Sequence, residues 1–72
     1  METSEELLRL CIDAMRKGAD FPTVWQDVLR GHRLVLGVPE QTMQDGRAQL
    51  HIRLLNGQRL VFDSTSKIFS LL

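Results

Sequence analysis

An apolar-polar alternation running from Ala48 to Ser64, broken by Asn56-Gly57, constrains this chain more than any other feature. It specifies a β-hairpin with one core face and one solvent face. Leu50, Ile52 and Leu54 must share a face with Leu60 and Phe62 if the apolar set is to be buried together, and only an odd-numbered loop does this. A two-residue Asn-Gly loop would set Ile52 opposite Val61 and split the set. A three-residue loop, Leu55-Asn56-Gly57, closed by a left-handed Gly57, pairs Ile52 with Leu60 and Leu50 with Phe62. The opposite face then carries Arg53 against Arg59, His51 against Val61 and Gln49 against Asp63. Like charges directly across a ladder are unfavourable by a few tenths of a kcal/mol up to about 1.

The rest of the chain supplies what covers that hairpin. Thr3 and Glu6 form a capping-box start, and Leu7, Leu8, Leu10, Cys11, Ile12, Ala14 and Met15 then recur on one side of a helix over about residues 4 to 17, ended by Gly18. Their arc is roughly 200 degrees wide, about twice what a surface helix needs, so this helix expects burial on more than one side. Glu5 with Arg9 and Asp13 with Lys17 stand four apart in the favourable order and account for its charged strip. Asp20-Phe21-Pro22 opens a second helix with the stripe Val24, Trp25, Val28 and Leu29, ended by Gly31. Arg33 to Val38 is a short extended piece bounded by Pro39. Residues 40 to 46 have no strong pattern of either period and are expected to be a mobile loop. Lys67 to Leu72 reads as a further meander strand, with Ile68 and Leu72 on one side and Phe69 and Leu71 on the other.

The expected fold is therefore α+β: two N-terminal helices packed on a small antiparallel sheet, made of a short strand plus a C-terminal three-stranded meander, in one domain over residues 1–72. Its core should include Leu8, Cys11, Met15, Trp25, Val28, Leu50, Ile52, Leu54, Leu60 and Phe62. A chain of 72 residues buries only about 60% of the surface its unfolded form exposes, so a partner would help its stability. The last strand, apolar on both sides, is either sandwiched or an edge waiting for another chain.

Composition narrows the function classes. The net charge is zero, with nine acids and nine bases, which argues against bulk electrostatic binding to nucleic acid or an anionic membrane. The distribution is uneven: residues 28–72 hold six of the nine bases and three of the nine acids, with both histidines, so the sheet half is modestly cationic. One cysteine makes no internal disulfide, no secretory pattern opens the chain, and no apolar run approaches the roughly 20 residues that span a bilayer. A cytoplasmic, reducing location and no membrane association are expected.

Catalytic patterns are thin. Cys11 with His32 or His51 would be the only nucleophile-base combination, but Cys11 lies in the apolar arc of the first helix, where a thiol serves as a small hydrophobe. One cysteine and two histidines about twenty residues apart lack zinc-ligand spacing, and no glycine run cradles a phosphate, so no metal, cofactor or enzyme activity is expected. His32 reads as a helix C-terminal residue meeting the negative pole. The expected function is a non-enzymatic protein-interaction module, as an inhibitor, accessory subunit or homodimeric adaptor docking on a larger protein. Its binding residues would be Arg47, His51, Arg53 and Arg59 on the hairpin and Phe69 and Leu71 on the last strand. The competing expectation is a small nucleic-acid-binding regulator using the cationic face of the 48–64 hairpin.

Overall fold

A computed structural model describes residues 3–72 of the chain. Helix α1 spans Ser4–Arg16, and Thr3 caps it by accepting a hydrogen bond from the Glu6 N–H at 3.2 Å. It ends in a Schellman motif. Gly18, at φ +94°, donates to the Met15 carbonyl, and Ala19 donates to the Ala14 carbonyl. Helix α2 begins at Phe21–Val24 with Asp20 as cap, its carboxylate accepting from the Thr23 N–H at 3.0 Å, and continues as a π-helical segment over Trp25–Leu29. The wider π turn, sealed by a 2.8 Å bond from the Arg30 N–H to the Trp25 carbonyl, brings residues five apart into line. Val24 and Leu29 are consequently both buried.

Four strands follow as an antiparallel meander in the order β1-β2-β3-β4: Val35–Gln44, Arg47–Leu54, Arg59–Asp63 and Ile68–Leu71. The β2-β3 hairpin has the register expected from its alternation, pairing Leu50 with Phe62, Ile52 with Leu60 and Arg53 with Arg59. Its loop is the three-residue Leu55-Asn56-Gly57, with Gly57 at φ +88°. Strand β4 pairs Leu60 with Leu71 and Phe62 with Phe69, so the last segment is a meander strand as read from the sequence.

The α+β class and the four-strand antiparallel sheet thus stand, while one boundary is corrected. The expected short strand and the loop at 40 to 46 are together one ten-residue strand, β1, joined to β2 by an Asp45-Gly46 turn with both residues at positive φ (53° and 76°). A register shift sets Gly37, Val38 and Pro39 of β1 against Ile52 alone, a bulge that bends this edge strand.

Both helices lie on one face of the sheet. Leu7, Cys11, Val24 and Leu29 meet Ile52, Leu54, Leu60, Phe62 and Phe69 in a single cluster. Five of the ten expected core residues, Cys11, Ile52, Leu54, Leu60 and Phe62, are buried. The others, Leu8, Met15, Trp25, Val28 and Leu50, are half-buried around them, and Leu7, Val24, Leu29 and Phe69 complete the centre. Phe21 stacks on Phe62 at 5.1 Å between centroids, and Phe62 meets Phe69 at 4.8 Å. The start of α1 is tied to the far hairpin by Asn56, whose amide donates to the buried Ser4 hydroxyl at 2.6 Å. The molecule is a slab of 37 × 28 × 17 Å, its thin axis one sheet and one helix layer deep.

Candidate functional site: the uncovered sheet face

Side chains alternate across the strands, so the face turned away from the helices carries the other half of every strand. Its rows follow from the register. One crosses all four strands as Glu40, His51, Val61 and Ser70, and the next as Thr42, Gln49, Asp63 and Ile68. A third consists of Leu36, Arg53 and Arg59 and is extended by Leu72, which exchanges two backbone hydrogen bonds with Arg59. Arg47, His51, Arg53 and Arg59 therefore share one surface. Leu36 and Leu72, both exposed, flank the opposed arginine pair.

The electrostatics of that pair are only half balanced. Arg53 reaches Glu40 at 3.2 Å, with both side chains more than half exposed, so the contact contributes little to stability. Arg59 has no carboxylate partner among the described residues. Arg47 lies near Asp63, whose carboxyl is held below its ordinary value of 3.8, first by the Ser66 and Thr65 N–H groups, with smaller contributions from Gln49 and Arg47. A shallow groove of about 310 Å³ runs between Glu40, Thr42, His51, Arg53 and Arg59. Beneath it, Val61 is only 5% exposed although it belongs to the face without helices, and the His51 Nδ1 atom is buried with no hydrogen-bond partner.

The other sequence-derived site residues fall elsewhere. Phe69 is 3% exposed at the centre of the phenylalanine cluster, and Leu71 packs half-buried against the same core. The helices cover the Phe69 side chain on that face of β4 and leave Leu71 partly exposed. The exposed apolar residues of this segment are Ile68 and Leu72. A serine at Phe69 would empty core space, at a cost of about 3–5 kcal/mol, rather than disturb a surface.

No nucleophile-base pair forms between Cys11 and His51, because the thiol lies in the helix-covered core and the imidazole on the opposite face of the sheet. Burial pushes the Cys11 thiol up to about 12, so it stays protonated at neutral pH. His32 follows the π turn, its N–H donating to the Leu29 carbonyl at 3.1 Å. It lines a surface depression of about 630 Å³, with Gln26, Asp27, Val28, Arg33 and Leu34 among its neighbours. No residue of the sheet face contributes to that depression. Among the described residues no three histidine, cysteine or acidic side chains gather in a metal-ligand cluster, and no helix is long and apolar enough to cross a membrane.

Residues missed by sequence reasoning are those that β1 adds. Leu36, Glu40 and Thr42 join the arginine surface only because residues 35 to 44 form one strand. The Asp45-Gly46 dipeptide, a preferred pair for a two-residue hairpin turn, was the signal that could have found them. No protein-family model, curated protein or solved structure matches this chain.

Proposed function

We propose that this chain is a non-enzymatic protein-interaction module that docks through its uncovered sheet face onto an acidic, partly apolar surface of a larger protein. The observation that carries this reading is the row Leu36, Arg53, Arg59 and Leu72, which places two opposed arginines between two exposed leucines on a face with no helix over it. A pair of like charges across a ladder lowers stability slightly in the isolated chain and becomes favourable when an acidic group lies over it. The leucines supply apolar area that arginine alone lacks. Protein fits this surface better than nucleic acid. The three phenylalanines are packed on the opposite face, so none of them is presented for base stacking, and the chain is neutral overall.

The test is capture from a nuclease-treated lysate of the source cells, comparing the native chain with Arg53→Gln/Arg59→Gln. Discrete proteins retained by the native chain and lost with the double variant support the reading. Equal retention by both chains, or loss of all retention on nuclease treatment, overturns it.

A further inference from the structure

The edge of β4 presents a second surface, apart from the uncovered sheet face. Arg59 and Leu72 exchange hydrogen bonds, the Arg59 N–H to the Leu72 carbonyl at 3.2 Å and the Leu72 N–H to the Arg59 carbonyl at 2.8 Å. In an antiparallel ladder such bonded pairs alternate with unbonded ones. Leu71 and Phe69, the next residues of opposite parity, therefore turn their N–H and C=O groups away from β3, to the side where the sheet has no further strand. The side chains of these residues belong to the core, and their backbones form an unpaired edge.

Helix α1 runs beside that edge. Between them is a groove of about 300 Å³, mostly apolar, with Ile12 and Met15 on the helix side, Ile68 and Phe69 on the strand side, and Arg16 and Lys67 at its rim. Ile68 is 60% exposed, and neither cation has a carboxylate partner among the described residues. Strand edges are usually blunted by proline, bulges or charge. Here β1 has Pro39 and a bulge, whereas β4 has neither and is limited by its four-residue length and by Lys67 just before it.

We infer that the α1-β4 groove binds an extended segment of a partner protein that adds to the sheet as a fifth strand. Its backbone pairs with Phe69 and Leu71, an apolar side chain enters the groove, and an acidic side chain meets Arg16 and Lys67. Charge decides the occupant. A second copy pairing β4 with β4 would bring residues 64–72, which contain no acid and would add a lysine to the two cations already there. This site shares no residue with the Arg53 and Arg59 row, so the two docking readings stand or fall separately.

The test is selection of a phage-displayed library of random linear peptides against the native chain, followed by affinity measurement with the enriched peptide in synthetic form. The expected peptide alternates apolar and acidic residues. It should bind Arg16→Gln/Lys67→Gln about fivefold or more weakly, while Arg53→Gln/Arg59→Gln binds within about twofold of native. On the native chain, the peptide should protect the Phe69 and Leu71 amides from hydrogen exchange, a readout independent of either variant. Failure to enrich any peptide, binding indifferent to Arg16 and Lys67, or unchanged exchange at those two amides overturns the inference.

Discussion

Two side chains show how single residues set the local balance of this molecule. His51 lies between Glu40 and Val61 in its row with Nδ1 buried and unpaired, and an unmade buried hydrogen bond costs roughly 1–3 kcal/mol. Valine fits a half-buried strand position opposite Val61, so His51→Val should raise the urea midpoint, by about 1 kcal/mol in stability. A lower midpoint would mean that the imidazole contributes more by packing than its orphaned nitrogen costs. Asp63 is the opposite case. Its carboxylate accepts from the Thr65 and Ser66 N–H groups at 2.8 and 3.1 Å and holds the β3-β4 turn, and Asp20 does the same for α2 through Thr23. Both carboxyls are held below their ordinary value of 3.8, so their contribution is fully present above that pH and is lost as pH falls through the depressed folded values. The melting temperature should therefore fall as pH drops below about 4. Asp63→Asn, which keeps an acceptor and removes the titration, should fall less steeply. Parallel melting curves for the two chains would assign acid sensitivity to other groups.

At the scale of elements, legibility in the sequence follows burial. The β2-β3 register could be derived residue by residue because one face of both strands is buried, and burial is what forces apolar and polar residues to alternate. Strand β1 lies at the edge, exposed along most of its length on both faces, so nothing imposed a period on Glu40 to Gln44 and the segment resembled a loop. Turn chemistry alone marks it. Asp45 and Gly46 both occupy left-handed backbone, and the side chain of a β-branched residue is disfavoured there by roughly 1–2 kcal/mol. Gly46→Val should lower stability by about that amount while leaving β2-β3 pairing intact, read as rapid amide exchange confined to residues 40 to 49. Uniform loss of protection across the sheet would show that β1 and the central hairpin unfold as one unit. In the last strand the limit is of another kind. Alternation separated Phe69 and Leu71 from Ile68 and Leu72, but sequence does not say which side the helices cover, and they cover the side that holds Phe69.

For the whole molecule, one layer of helices over one four-strand sheet leaves a complete sheet face uncovered, and the charge pattern on it is not the one stability alone would select. Arg53 faces Arg59 across the ladder with a single exposed glutamate in reach. A domain this small has little stability to spare, on the order of a few kcal/mol, so a locally unfavourable pair points to a use outside the fold. The most direct measurement is made on Arg59→Glu, which turns the like pair into an opposite-charge pair: its urea midpoint and its retention of partner proteins are determined side by side with the native chain. A docking face predicts that the two quantities move in opposite directions, with stability rising by a few tenths to about 1 kcal/mol and retention falling. Retention equal to native in a more stable protein would contradict the role of this face, as would a loss of retention that only follows a loss of stability.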